Sequence, residues 1–128
     1  MQIEAIYFRG VRTIPVSEYR PEPLTVMDGI LPDAKPLAFS FTSELEPFVN
    51  SLEPMTLCAV ISEISETTYN GLNQKNRAIY IETDGGNVAG EEIPKGYDPL
   101  IEIVLTAFKA RIERAKLADW SGLAVSMA

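Results

Sequence analysis

The sequence predicts a single α+β domain over residues 1–128, with an antiparallel sheet of four to six strands packed by two amphipathic helices in the order β-β-(β)-β-α-β-β-α. Three observations predict it. Segments near the start and middle alternate apolar and polar residues with a period of two. Two segments, around residues 43–52 and 98–115, repeat their apolar residues at helical spacing. The chain has 128 residues, 46% of them apolar, enough to bury roughly two-thirds of its unfolded surface around one core without a metal or disulfide.

The elements follow in order. Ile3 to Phe8 is rich in β-branched and aromatic residues and reads as a strand ending at Gly10. Thr13 to Tyr19 is a weaker strand, which Pro15 demotes to an edge or a bulge. Pro21, Pro23, Asp28-Gly29, Pro32 and Pro36 punctuate the next stretch and leave room for a short strand at Leu24–Met27. Leu37, Phe39 and Phe41 alternate with smaller residues as a half-buried strand.

A helix is expected next. Ser43 and Glu46 have capping-box spacing, and Leu45, Phe48, Val49 and Leu52 fall on one helical face. Pro47 fits only in the first turn, and Pro54 ends the element. Thr56–Glu66 is the strongest strand, apolar on both faces in its first half and therefore central. Arg77–Thr83 is the next, and Asn70-Gly71 between them signals a tight hairpin that would set Ile61 opposite Tyr80. Residues 84–94 read as a glycine-containing loop.

The last helix opens with Asp98 as N-cap and Pro99 in the first turn. Ile101, Val104, Leu105, Phe108, Ile112 and Ala115 form its apolar stripe. Lys109, Arg111, Arg114 and Lys116 gather toward its C-terminus, where cations favour the helix dipole. Residues 119–128 form an apolar tail carrying Trp120, Leu123, Val125 and Met127. The expected core comprises Ile3, Tyr7, Leu37, Phe39, Phe41, Phe48, Val49, Leu52, Val60, Ile79, Ile81, Val104, Leu105 and Phe108.

The chain contains no histidine. That removes Ser-His-Asp and Cys-His relays, HExxH zinc sites and any imidazole titration near neutrality. The single cysteine, Cys58, lies in an apolar run and reads as a buried structural thiol. No secretory signal and no apolar span are legible, so a cytoplasmic location is expected.

The formal charge is −7, and all of it falls between Glu18 and Glu66, where nine acidic residues face only Arg20 and Lys35. Such a chain repels nucleic acid and anionic membranes, so neither is expected as a partner, and it attracts a basic protein surface. The plain alternative is that the acidity serves solubility.

Other chemistry is sparse. Asp84-Gly85-Gly86-Asn87 after a strand could turn amides toward a phosphate, but no Gly-Lys-Ser/Thr follows and Glu91-Glu92 would repel the anion. Glu82 and Asp84 share a face at that strand end and are the best carboxylate pair for ligand binding, against the plain reading of a solvated strand end. No metal-ligand pattern and no cofactor motif is present.

Three functional classes remain. The leading expectation is a small acidic inhibitor that binds a basic partner protein, of the immunity-protein, antitoxin or phage anti-defence type. Its binding patch is expected to comprise Asp28, Asp33, Glu44, Glu46 and Glu53. The first alternative is a small-molecule binder or histidine-free carboxylate enzyme at residues 82–90, using Tyr80, Glu82, Asp84, Gly86 and Asn87, with Tyr97 as a further candidate. The second is a self-assembling component that dimerises through the last helix and tail.

Overall fold

A computed structural model describes residues 1–16, 22–67, 74–93 and 95–117. The predicted Asn70-Gly71 turn, the end of the predicted strand 13–19 and the tail 119–128 lie outside these residues. The architecture is α+β, as the patterning predicts, with six strands and two helices: β1 (Gln2–Ile14), β2 (Leu24–Ile30), β3 (Pro36–Phe41), α1 (Glu46–Ser51), β4 (Leu57–Thr67), β5 (Gln74–Thr83), β6 (Val88–Gly90) and α2 (Tyr97–Leu117).

The strands form one sheet in the order β3-β2-β1-β4-β5-β6, antiparallel at every step. A short parallel pairing of β3 with β5, Ser40 opposite Arg77 and Phe41 opposite Ala78, joins strands from opposite ends of that order. The sheet thereby closes into a five-stranded ring, β1-β2-β3-β5-β4, with β6 attached to β5 outside it. Closure shortens the exposed edges that an open sheet presents.

The strand expected at Ile3–Phe8 and the first two residues of the one expected at Thr13–Tyr19 belong to one continuous strand, β1. Residues 2–7 of β1 pair with β4, and residues 7–14 pair with β2. The change of partner occurs around Tyr7, and a bulge between Phe8 and Gly10 follows it. A bulge bends a strand without ending it, so Gly10 marks a bend and not a terminus. On the other side of the ring, Ile61 lies opposite Tyr80, as expected. Bulges at Ile61/Ser62 and Ile64/Glu66 offset one another, and the register returns at Thr67 opposite Gln74.

The helices do not share a face of the sheet. Alternation along β1 and β4 separates two cores. Ile6, Phe8, Met27, Phe39, Cys58, Val60, Ala78 and Ile81 point inside the ring, where Leu45 and Val49 join them with Phe48 and Leu52 packed alongside. Ala5, Tyr7, Leu57, Ala59, Ile61 and Tyr80 point outward and are covered by Ile101, Leu105 and Phe108 of α2. Thus α1 plugs the ring and α2 lies on its outer wall, with the Tyr7 and Phe108 rings 4.9 Å apart at 52°. Two cores arise because β1 and β4 are apolar on both faces, which demands cover on both.

The start of α1 also differs from expectation. Leu45 occupies the N-cap in a right-handed helical conformation, and no side chain caps the helix. The amides of Leu45 and Glu46 donate instead to the carbonyls of Thr42 and Ser43, so the Glu46 amide that the Ser43 hydroxyl would cap is already bonded. Pro47 sits in the first turn, where its missing N–H costs nothing. α2 begins at Tyr97, one residue before the position assigned to the cap.

Phe39 has no exposed surface, whereas Ile103 on α2 is 62% exposed. Phe39→Ala is expected to cost about 3–5 kcal/mol through the cavity it leaves. Ile103→Ala is expected to change stability by less than about 0.5 kcal/mol. Urea unfolding followed by tryptophan fluorescence and circular dichroism measures both.

Candidate functional site

The glycine segment is a hairpin, not a loose loop. Thr83 N–H donates to the Asn87 carbonyl at 2.9 Å, and Gly86 N–H donates to the Thr83 carbonyl at 3.0 Å. The Asn87 amide donates to the Thr83 hydroxyl at 3.2 Å. Gly86 takes a φ of 89°, which a side chain would disfavour. The amides of Gly86 and Asn87 are bonded to Thr83 and that of Asp84 to the Leu57 carbonyl, so the glycine segment is built as a turn and not as an open amide cradle.

The five expected ligand residues split between two sides of the fold. Tyr80 packs in the core beneath α2, and its hydroxyl donates to Glu82 Oε1 at 2.8 Å. Tyr97 also packs against that core. Asp84 and Asn87 instead line a hollow of about 620 Å³ on the α1 side. Gly86 belongs to the turn and lines neither hollow described here.

The Asp84 hollow is shared with the acidic segment. Its walls are Phe48, Ser51, Leu52 and Glu53 at the end of α1, and Asp84, Asn87 and Val88 at the β5–β6 turn and the start of β6. A second hollow, of about 450 Å³, lies between residues 42–45 and the other end of β6, with Glu44 and Glu91 on its walls and Leu45 and Ile79 among its apolar residues. No lysine or arginine lines either hollow.

The patch expected from sequence is therefore partly assembled. Glu44, Glu46 and Glu53 are exposed on or beside α1 and form no ion pair among the described residues. Asp28 is bound at 2.7 Å by Arg12 across the β1–β2 pair, and Asp33 lies 3.7 Å from Lys35 in the β2–β3 turn. Asp84 and Glu91 likewise form no ion pair among the described residues, although they lie outside the acidic segment. The signal that could have found them is the hairpin, which folds residues 84–91 back toward α1.

Cys58 is buried inside the ring, and its thiol is pushed up to about 12, chiefly by burial and further by the nearby Asp84 carboxylate. Tyr7 is likewise raised to about 12, by burial and then by Asp84. Tyr80 is raised by burial first, and then by its hydrogen bond to Glu82. Among the described residues no group of three or more acidic or cysteine side chains is placed to hold a metal ion. No helix of the described residues is long and apolar enough to cross a membrane.

Each of these three groups releases its proton less readily in the folded chain than in the unfolded one. The stability they contribute is fully present below the unfolded values, near 9 to 10. It falls as pH rises through them toward the folded values. The urea midpoint is expected to stay flat from pH 6 to about 8 and to drop between about 9 and 11. Cys58 should react with a thiol reagent at pH 8 only after unfolding. No protein-family model, curated protein or solved structure matches this chain.

Proposed function

We propose that the chain is a small protein-binding inhibitor that uses the acidic face around α1 to cover a basic surface on its partner, in the manner of an immunity protein, an antitoxin or a phage anti-defence factor. The observation that carries this reading is the set of exposed carboxylates Glu44, Glu46, Glu53, Asp84 and Glu91, which form no ion pair among the described residues; all but Glu46 line two hollows whose described walls hold no lysine or arginine. A single-sign surface of this kind speeds encounter with a basic partner and rejects acidic ones. Asp28 and Asp33 contribute less, because Arg12 and Lys35 already neutralise them. The half-buried Phe48 and Leu52 supply apolar area beside the charges.

A second reading is self-association through α2, favoured by the exposure of Leu100 and Ile103, at 44% and 62%. A monomer at all concentrations in analytical ultracentrifugation removes it. An Ile103→Glu-sensitive dimer supports it.

The inhibitor reading is tested by charge reversal. Glu44→Lys, Glu46→Lys and Glu53→Lys alter exposed side chains, so the triple variant should keep its circular dichroism spectrum. It should bind a basic partner captured from the source lysate at least about tenfold more weakly than the parent at low salt. Lys109→Glu, on α2, serves as the control and should bind like the parent. Equal binding by the triple variant would remove the acidic face from the interaction.

A further inference from the structure

We infer that the partner engages this face through an extended basic segment that adds as a strand to the outer edge of β6, between β6 and α1. The inference rests on the acidic-face reading above and specifies the element that fills it. Its starting point is the backbone of β6. In an antiparallel pair, residues alternate between those that exchange hydrogen bonds with the neighbour and those whose polar groups point away from it. Thr83 N–H bonded to the Asn87 carbonyl, and Glu91 N–H bonded to the Ile79 carbonyl, fix the phase of the β5–β6 ladder. Ala89, opposite Ile81, falls in the bonded set. Val88 and Gly90 fall in the other, so their N–H and C=O groups point away from β5. Among the described residues nothing bonds them.

The surroundings of that edge are selective. β6 and β3 lie along the same side of β5, and α1 continues the chain from β3. Residues 42–45 and α1 thus stand on the outer side of β6, with one hollow between β6 and the end of α1 and the other between β6 and residues 42–45. One hollow, of about 620 Å³, is at the Val88 end, with Glu53 and Asp84. The other, of about 450 Å³, is at the Gly90 end, with Glu44 and Glu91. Volumes of this size suit side chains or a short peptide. Phe48 and Leu52 are half-buried, and Val88 is 52% exposed, so the first hollow also offers apolar surface.

An added strand would satisfy the orphaned main-chain groups of Val88 and Gly90, and its alternate side chains would enter the hollows. Lysine or arginine fits both ends, the alkyl stem against Phe48, Leu52 and Val88 and the charged head at the carboxylates. An acidic segment would meet four carboxylates and no counter-ion. Gly90 holds β6 in place for this role. A Cβ there would lie 2.2 Å from the Ile79 carbonyl oxygen, so only glycine permits so close an approach of β6 to β5.

The test uses the unmodified protein and a blocked eight-residue peptide of alternating lysine and valine, with the alternating glutamate–valine peptide as control. Binding is followed by two-dimensional NMR with amide hydrogen exchange. The lysine peptide is expected to bind, to weaken with salt, and to slow exchange at Val88 and Gly90 by at least about tenfold, while Ala89 changes little because β5 already holds it. The glutamate peptide is expected not to bind. Lysine-peptide binding without protection at Val88 and Gly90 would overturn strand addition and leave the acidic face intact. No binding of the lysine peptide would also overturn it, and the triple charge-reversal experiment would then judge the acidic face separately. Unchanged lysine-peptide affinity in the Glu44→Lys/Glu53→Lys variant would sink both readings.

Discussion

Closure of the sheet through β3 and β5 is the constraint on which the rest of the structure depends. Only Ser40–Arg77 and Phe41–Ala78 make the parallel bridge, yet the bridge gives Phe39, Met27 and Ile6 an enclosed interior in place of one exposed sheet face. The ring is tight. A Cβ at Gly29 would lie 2.4 Å from Ile6 Cδ1, so β2 approaches the interior as closely as it does because residue 29 has no side chain. Arg77, at the bridge, also forms an ion pair with Glu63 across the β4–β5 pair. That pair is partly exposed, and it orders the strand more than it stabilises the fold.

The bridge has a second consequence. It occupies the outer side of β5 at residues 77 and 78 only, and β6 takes the neighbouring stretch at residues 80–82. β6 therefore ends the hydrogen-bonded series on that side of β5, and its far side is an open edge. Short edge strands are a common defence against unwanted pairing. Here the defence is reinforced by charge, since any segment approaching the edge must tolerate Glu44, Glu53, Asp84 and Glu91. Under the proposal, the same features that exclude most strands would select basic ones.

The elements most legible in the sequence were those with strong periodicity. The strands around Phe39, Val60 and Ile81, and the α2 stripe through Ile101, Leu105 and Phe108, reflect local burial that a pattern records directly. All fourteen residues expected in the core are buried or packed against it. Features set by long-range pairing were not legible. The continuation of β1 past Gly10 to Ile14 depends on which partner each half of the strand meets. The ring depends on two residue pairs between strands nearly forty positions apart. β6 was hidden because Val88-Ala89-Gly90 is too short to show a period. The site suffered the same fate. Glu44, Glu46 and Glu53 were legible as an acidic run, while Asp84 and Glu91 join them only because the hairpin returns to α1. Tyr80 and Glu82 share alternation with Asp84, but the turn at residue 84 breaks that alternation and sends Asp84 to the other side.

The proposed recognition role and the plain solubility role ask for different placements of charge. Solubility requires net charge and is served by interleaved signs spread over the surface. The ion pairs of the described residues, Arg12–Asp28, Lys35–Asp33 and Arg77–Glu63, have no member in either hollow. The carboxylates around α1 are thus left to repel one another, at a cost to the compact state that a scattered arrangement would avoid. Charge alone would attract any basic surface and fix no orientation. A row of directed main-chain groups fixes orientation but is indifferent to sequence. In the proposed mode the two combine at β6 and α1: the field would bring a basic segment to the edge, and the edge would set its direction and register. A three-residue strand can therefore discriminate between partners only with the help of the carboxylates beside it.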